Sequence, residues 1–134
     1  MKTKICSKCK LELPVSEFYK NKTGTDGLHS ACKQCEKEYD KSIAGRYVQY
    51  KHGAKRRNIT FELSKDEFHS IVSHNCFFCG MPHANMGVDR LDNSKGYLPD
   101  NCVPCCKYCN IMKRERSTLE FVKHCRRVTN NVLS

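Results

Sequence analysis

The sequence has no tryptophan and no apolar run that approaches the roughly 18 residues of a membrane helix. Only 39% of its 134 residues are hydrophobic, so a chain of this length buries a small core. The first ten residues, MKTKICSKCK, lack the apolar segment of a secretory signal. We therefore expect one small domain or two very small ones, with no membrane segment, in the cytoplasm of a cell.

Cysteine is abundant where large apolar residues are scarce. The chain has 11 cysteines, an odd number, and most of them fall in Cys-x-x-Cys pairs. This pattern argues against a secreted disulfide framework and favours reduced thiols that bind metal. Small folds usually need such a cross-link, and we expect zinc to provide it here.

The first predicted zinc site lies near the N-terminus. Two pairs, Cys6/Cys9 and Cys32/Cys35, supply four thiolates, which is the ligand number of a structural zinc ion. A redox-active pair would require a βαβ context that the surrounding sequence does not show.

A second zinc site is predicted from Cys76 and Cys79. Its other half has two alternatives with the same spacing, Cys106/Cys109 and Cys102/Cys105. We favour Cys106/Cys109 because this pair spans a predicted strand-to-helix turn, where zinc knuckles commonly lie. Under that choice Cys102, Cys105 and Cys125 are small buried hydrophobic residues.

Basic residues exceed acidic ones by 24 to 14, a net charge of +10, and they are unevenly distributed. Residues 41–60 contain no acidic residue, whereas residues 61–85 are net acidic. Such a patch is typical of proteins that bind the phosphate backbone of nucleic acids. The candidate contacts in this stretch are Arg46, Lys51, Lys55, Arg56 and Arg57.

The pattern divides the chain into a zinc module at 1–40, a basic helical linker at 41–58 and a compact domain at 59–134. Apolar residues at helical spacing, Ile43, Tyr47, Tyr50 and Ala54, indicate that residues 36–58 are mainly helical. Glycine weakens a helix, and we expect a break near Gly53.

The compact domain is predicted to alternate short strands and helices. We expect an extended segment at 59–63, a helix from the Ser64–Glu67 capping box to about Ser73, strands at 87–91 and 101–104, and a helix from about Lys107. The Ser117–Glu120 capping box predicts a last helix. Its expected core residues are Leu119, Phe121, Val122, Cys125 and Val128.

The segment GVDRLDNSKGYLPDNCVPCCKYCNIMK, residues 87–113, follows Cys76 and Cys79 and contains the other half of the second zinc site, Cys106 and Cys109. In this arrangement it resembles the HNH, or ββα-metal, endonucleases, and in particular a small phage-type branch with an Asp-Arg core. The resemblance implies a small zinc-stabilised α+β fold with a ββα-metal core. It also implies hydrolysis of DNA phosphodiester bonds with a divalent cation, in the host cytoplasm if a phage encodes the chain.

The resemblance assigns Asp89 and Asn110 as ligands of Mg²⁺ or Mn²⁺, since both offer hard oxygen donors. Asn101 matches the position of an asparagine that braces the loop and the general base. Arg90 stands where most of the family has the histidine that activates water, and a guanidinium cannot accept a proton. Our hypothesis is that Arg90 clamps the scissile phosphate and that a histidine, His83 or else His74, activates the water.

Further basic residues near this segment are candidate phosphate contacts: Lys95, Lys107, Lys113 and Arg114. A single site would nick one strand, and a double-strand cut would need a homodimer or two visits. The main alternative is a zinc-dependent DNA-binding protein that has lost catalysis, for which Arg90 is the best argument. A zinc-stabilised protein-interaction adaptor is a third reading, and RNA is open as a substrate.

Overall fold

The computed structural model describes residues 2–134 and divides them into two compact units. The first unit extends to Gln49 and the second runs from Tyr50 to Ser134. The predicted domain boundaries after residues 40 and 58 stay predictions. Each unit has mixed secondary structure, so the small α+β class expected from the sequence holds.

The first unit begins with an antiparallel hairpin of β1 (Thr3–Ile5) and β2 (Glu12–Pro14), in which Lys4 lies opposite Leu13. A single 3-10 turn, Val15–Glu17, follows β2. Helix α1 (Lys33–Lys41) then starts at Cys32. The small core of this unit includes two of the predicted zinc ligands beside Phe18 and Ala31. A core of this size provides little hydrophobic stabilisation, as expected where a metal has to contribute.

Helix α2 (Ile43–Arg56) follows α1 after a break at Ser42. The Ser42 hydroxyl accepts a hydrogen bond from the backbone N–H of Gly45, which starts the new helix. Gly45 passes so close to α1 that a Cβ atom there would lie 2.0 Å from the carbonyl oxygen of Tyr39. The predicted break near Gly53 is wrong: a Cβ atom at Gly53 would meet only the flexible side chain of Arg56, and the helix continues through it.

The second unit contains the predicted strand–strand–helix order. Helix α3 (Lys65–Val72) has the predicted capping box, with Ser64 and Glu67 each accepting from the other's backbone N–H. Strands β3 (Gly87–Arg90) and β4 (Cys102–Cys105) pair antiparallel, so that Asp89 lies opposite Val103. Helix α4 (Lys107–Lys113) follows β4 directly. The predicted extended segment at 59–63 is reduced to one parallel bridge between Phe61 and Tyr97.

The last helix, α5 (Thr118–Val132), also begins with its predicted capping box, Ser117 and Glu120. Its predicted core face is largely wrong. Phe121 is buried, but Leu119 and Val128 are 63% and 49% exposed. Val122 is exposed as well, and Cys125 is only half-buried. Helical spacing alone predicted burial for the whole stripe, whereas the unit covers α5 mainly at Phe121.

Across residues 2–134, no helix combines the length and apolar character that crossing a membrane requires.

Candidate active site and zinc centres

The first zinc centre is assembled from a turn and a helix start. Cys6 and Cys9 lie in the turn after β1, Cys32 precedes α1, and Cys35 lies in its first turn. The four sulfur atoms all lie within 4.8 Å of one another. Thiolates around one zinc ion at about 2.3 Å need a separation of this order, so the cluster can hold zinc as predicted.

The second centre repeats this design with Cys76, Cys79, Cys106 and Cys109, whose sulfur atoms also lie within 4.8 Å of one another. The preferred pairing is therefore the one that forms a cluster. The backbone N–H of Cys106 points at the sulfur of Cys76, and that of Cys109 points at the sulfur of Cys106. Cys106 is also the N-cap of α4, so a zinc ion here would fix where that helix begins.

Cys102 and Cys105, the alternative pair, are buried in β4 outside the cluster. Burial raises the pKa of Cys102 to about 11 and that of Cys105 to about 12. Both side chains are therefore neutral thiols at physiological pH, which suits the predicted role as small hydrophobic residues.

The Cys6/Cys9 and Cys76/Cys79 turns, one in each zinc centre, are zinc knuckles that share a backbone feature. The residue after the second cysteine has a left-handed conformation in each, with φ of 65° at Lys10 and 74° at Gly80. The backbone N–H of each of these residues donates to the carbonyl of the first cysteine of its pair. Glycine adopts this conformation without strain, which explains the glycine at position 80.

One thiol of each centre is poised to ionise. Burial alone would raise the pKa of Cys6 and of Cys76. Backbone N–H donors outweigh that effect and lower the pKa of each to about 6: Cys32, Cys9 and Lys8 act on Cys6, and Cys79, Cys106 and Phe78 act on Cys76. Zinc binds the thiolate, so these donors prepare both sites for the metal.

A polar cavity of about 620 Å³ lies in the second unit beside the C-terminal end of β3. Its lining includes Asp89 from β3 and Asn110 from α4, the two predicted ligands of a divalent cation. Three arginines line the same cavity, Arg57, Arg90 and Arg114. The structure thus brings the two predicted oxygen donors and three permanent positive charges to one space, which Glu115 also lines, a combination suited to a cation and a phosphate.

Asp89 is buried, with 8% of its surface exposed, and its Oδ2 atom lies 2.9 Å from the ammonium nitrogen of Lys113. The two atoms are close enough for an ion pair. Apart from this ammonium, Oδ2 has no hydrogen-bond donor among the described residues. A buried carboxylate oxygen that meets a single ammonium keeps a lone pair for a bound cation. With the exposed amide of Asn110, it fits a hard divalent cation that keeps several waters.

The loop between β3 and β4 is fastened from two sides. Asn101 is buried, donates to the carbonyls of Asp92 and Gly96, and accepts from the N–H of Asp92. Arg90 donates from Nη1 to the carbonyls of Asn93 and Lys95, at 3.0 and 2.8 Å. Its guanidinium also lies 5.3 Å from the centre of the Tyr97 ring. Both side chains therefore hold the loop whose inner face borders the cavity.

Neither predicted histidine lies at the cavity. The ring of His83 lies against Tyr108, with ring centres 5.9 Å apart, and His83 is not among the cavity-lining residues. His74 makes a hydrogen bond to the carbonyl of Ser70 at the end of α3 and belongs to neither cysteine cluster. The structure gives no support to either residue as the general base.

The other predicted nucleic-acid contacts are dispersed over the chain. Arg57 and Arg114 line the cavity. Lys51 and Lys55 line a separate surface depression. The remaining predicted contacts do not line the cavity: Lys95, Lys107, Arg56 and the half-buried Arg46. Lys113 differs from all of these, because its side chain is completely buried. A buried ammonium cannot reach a phosphate on the surface, so the expected role of Lys113 requires correction.

Two features of the site were not predicted. Tyr50, assigned to a helical stripe, lines the cavity and its hydroxyl accepts a hydrogen bond from the N–H of Val88. Lys113 was predicted to contact phosphate at the surface, although it lies three residues after Asn110 and so on the same side of α4. That spacing was the available signal that Lys113 belongs to the site.

Comparison with known proteins gives similarity without a family assignment. No family model matches the chain. It is 35% identical over 94 residues to an uncharacterised protein of Acanthamoeba polyphaga mimivirus; these residues are 69% of this chain but 18% of that protein. The chain thus spans less than a fifth of that viral relative. It is also 22% identical, over 174 aligned positions, to the SPbeta prophage protein YoqL of Bacillus subtilis (strain 168), provisionally named an HNH endonuclease. That alignment covers 84% of this chain and 76% of YoqL.

Among solved structures, the chain is similar to the rare-cutting HNH restriction endonuclease PacI. The TM-score is 0.48 at 22% sequence identity, over 88% of this chain and 87% of PacI.

Proposed function

We propose that this chain is a metal-dependent DNA endonuclease of the HNH type, with a ββα-metal core stabilised by two structural zinc ions. The proposal rests on one observation: Asp89 and Asn110 line the same cavity, and Arg57 and Arg114 line it as well. The provisional name of the prophage relative, an HNH endonuclease, supports the same assignment.

The elements that carry these residues occur in the order that such a site needs. Asp89 comes from β3, Asn110 comes from α4, and β4 leads directly from one to the other. The second zinc centre holds the start of α4 through Cys106 and Cys109. A zinc ion there would therefore fix the position of Asn110 relative to Asp89 without taking part in the chemistry.

Asp89 and Asn110 would hold Mg²⁺ or Mn²⁺, which polarises a phosphate and stabilises the charge that develops on the leaving 3′ oxygen. Arg57 and Arg114 are exposed and line the cavity, so their guanidinium groups would bind phosphate oxygens on the substrate. Arg90 adds positive charge at the wall, in line with the clamp hypothesis. Its two bonds to loop carbonyls add a second role, that of holding the loop in shape.

The exposed basic residues of α2 would extend the contact with DNA. Lys51, Lys55 and Arg56 are exposed, and no acidic residue lies within residues 41–60. Contacts of this kind bind the phosphate backbone without reading bases. They predict affinity that falls steeply as salt is added, because counterions are released on binding.

The test is cleavage of a supercoiled plasmid by the zinc-loaded chain with Mg²⁺ or Mn²⁺. We expect nicking that requires the cation and that Asp89→Ala and Asn110→Ala each abolish. The control is the zinc content of the variants, which should equal that of the wild type because neither residue is a cysteine ligand. Cleavage that survives both substitutions would overturn the proposed site.

A second candidate function is DNA binding without catalysis, and Arg90 is the observation that favours it. The wild type would then retain the plasmid in a salt-sensitive manner but leave it uncut with either cation. A branched DNA and a single-stranded RNA should be tried before that outcome is accepted. A protein-interaction adaptor would instead show no salt-sensitive binding to nucleic acid.

A further inference from the structure

Lys113 is the last residue of α4 and has no exposed surface. Lysine is almost never fully buried unless its charge is paired. Here the ammonium nitrogen lies 2.9 Å from Oδ2 of Asp89 and 3.5 Å from the carbonyl oxygen of Arg90, to which it donates. It also lies 5.9 Å from the centre of the Phe78 ring. The chain therefore places a cation of its own beside the carboxylate proposed to bind Mg²⁺ or Mn²⁺.

The ammonium of Lys113 balances the charge of Asp89 by an ion pair with Oδ2. Oδ2 has no other donor among residues 2–134, although it is buried. A carboxylate oxygen has two lone pairs, so one remains available for a metal ion. A buried carboxylate left without any counter-charge would be strongly unfavourable, so Lys113 allows the site to exist before a metal arrives.

We propose that Lys113 is a resident counter-cation of Asp89: it preforms the site in the metal-free protein and, through its positive charge, weakens the binding of the divalent cation. The inference rests on the proposed function, in which Asp89 is a ligand of that cation. Lys113 is accordingly a positioning residue that acts through Asp89. A positive charge near a divalent cation opposes its binding, whereas loss of that charge leaves Asp89 dependent on the metal.

The experiment measures Mn²⁺ affinity by electron paramagnetic resonance of free Mn²⁺, without DNA, on chains shown to hold two zinc ions. The variants are Lys113→Met, Asp89→Asn and the double variant. We expect Lys113→Met to bind Mn²⁺ at least about tenfold more tightly than the wild type, since the variant removes a positive charge that repels the cation. In the Asp89→Asn background, Mn²⁺ binding should be lost whether residue 113 is lysine or methionine.

Thermal unfolding provides a second readout. Mn²⁺ should raise the melting temperature of Lys113→Met more than that of the wild type, because in the variant the metal alone neutralises Asp89. Lys113→Gln, which is also neutral, should behave in the same direction. If Lys113→Met folds only when Mn²⁺ is present, the inference is supported. If neither neutral variant folds with or without Mn²⁺, a divalent cation cannot replace the ammonium and the inference fails.

The outcomes distinguish failure of the proposed metal site from failure of the role proposed for Lys113. If the wild type binds no Mn²⁺, or binds it equally well after Asp89→Asn, the proposed metal site is wrong. If wild-type binding depends on Asp89 but Lys113→Met binds Mn²⁺ equally or more weakly, the metal site stands and the counter-cation role is overturned. A purely structural role for Lys113 would not produce tighter metal binding.

Discussion

The hydroxyl oxygen of Tyr50 accepts a hydrogen bond from the backbone N–H of Val88 over 3.1 Å. Val88 lies opposite Pro104 in the β3–β4 ladder, and the carbonyl of Pro104 accepts from Phe77. Helix α2 therefore supplies the partner for this N–H of β3. The contact also explains Gly87, where a Cβ atom would come within 2.8 Å of the Tyr50 hydroxyl. Tyr50 thus fixes the strand that carries Asp89 one residue later.

Tyr50→Phe is expected to destabilise the chain because it leaves the Val88 N–H without its partner. The loss should be about 1–3 kcal/mol, the usual cost of an unsatisfied buried donor, and is measurable by urea unfolding of the zinc-loaded protein. Tyr108→Phe is the matched control, since Tyr108 is 59% exposed. Equal stability of the two variants would show that the Tyr50 hydroxyl does not contribute to the fold.

The choice between the crowded cysteines of the second zinc centre can be tested by counting metal. We expect the wild type and Cys105→Ala to bind two zinc ions per chain, and Cys106→Ser to retain one. The reason is that Cys106 belongs to the sulfur cluster, whereas burial raises the pKa of Cys105 to about 12 and keeps it a thiol. The measurement is zinc content by elemental analysis after dialysis.

A second consequence concerns the fold of the variant that loses a zinc ion. Structural zinc supplies much of the folding energy of small domains, so Cys106→Ser should lose the cooperative unfolding of the second unit. If Cys105→Ala lost a zinc ion and Cys106→Ser kept both, the assignment of the ligands would have to be exchanged.

The residue after each zinc-binding turn, Lys10 or Gly80, has a left-handed backbone conformation. Substitutions at these two positions should therefore change the stability of the chain in opposite directions. Gly80→Ala places a side chain at φ 74° and should cost about 1–2 kcal/mol. Lys10→Gly removes a side chain at φ 65° and should raise the free energy of unfolding by about 1 kcal/mol or less. The gain is small because glycine also makes the unfolded chain more flexible, which offsets part of the relieved backbone strain. Thermal unfolding of zinc-loaded variants would reveal both shifts. The same sign for both would mean that backbone strain does not set knuckle stability.

Local signals in the sequence predicted the parts of the structure that local interactions determine. The Ser64–Glu67 and Ser117–Glu120 boxes predicted two helix starts, because each box satisfies its own backbone donors. The Cys-x-x-Cys pairs that begin at Cys76 and Cys106 predicted a four-cysteine cluster for a similar reason, as each pair lies in a local turn.

Features that depend on contacts between elements were missed. The break at Ser42 reflects the close approach of Gly45 to Tyr39, which no helical pattern reveals. Lys113 was predicted to contact phosphate because basic residues usually lie at the surface. Its burial depends on Asp89, which is distant in sequence and becomes a neighbour only when β3 packs beside α4.

Arg90 stands where most HNH nucleases have a histidine, and two roles are considered for it: binding the phosphate through its charge, or holding the loop in shape. If its charge on the phosphate dominates, Arg90→Lys should retain most of the nicking activity. The structure favours the loop role: the guanidinium bonds two loop carbonyls while it lies against the Tyr97 ring, and a lysine has no planar group to make both contacts. We therefore expect Arg90→Lys to be as impaired as Arg90→Ala, by at least about tenfold, because small displacements of catalytic groups are costly.

His83→Ala is the matched comparison in the same plasmid assay. Its ring packs on Tyr108 and does not line the cavity, so we expect nicking within about twofold of the wild type, a change of less than about 0.5 kcal/mol in the barrier. Loss of nicking in His83→Ala would restore this histidine as the general base and would require the loop that carries it to reach Asp89. Wild-type nicking, with Arg90→Lys impaired, would instead show that this site works with an arginine that shapes the loop and without a histidine beside Asp89.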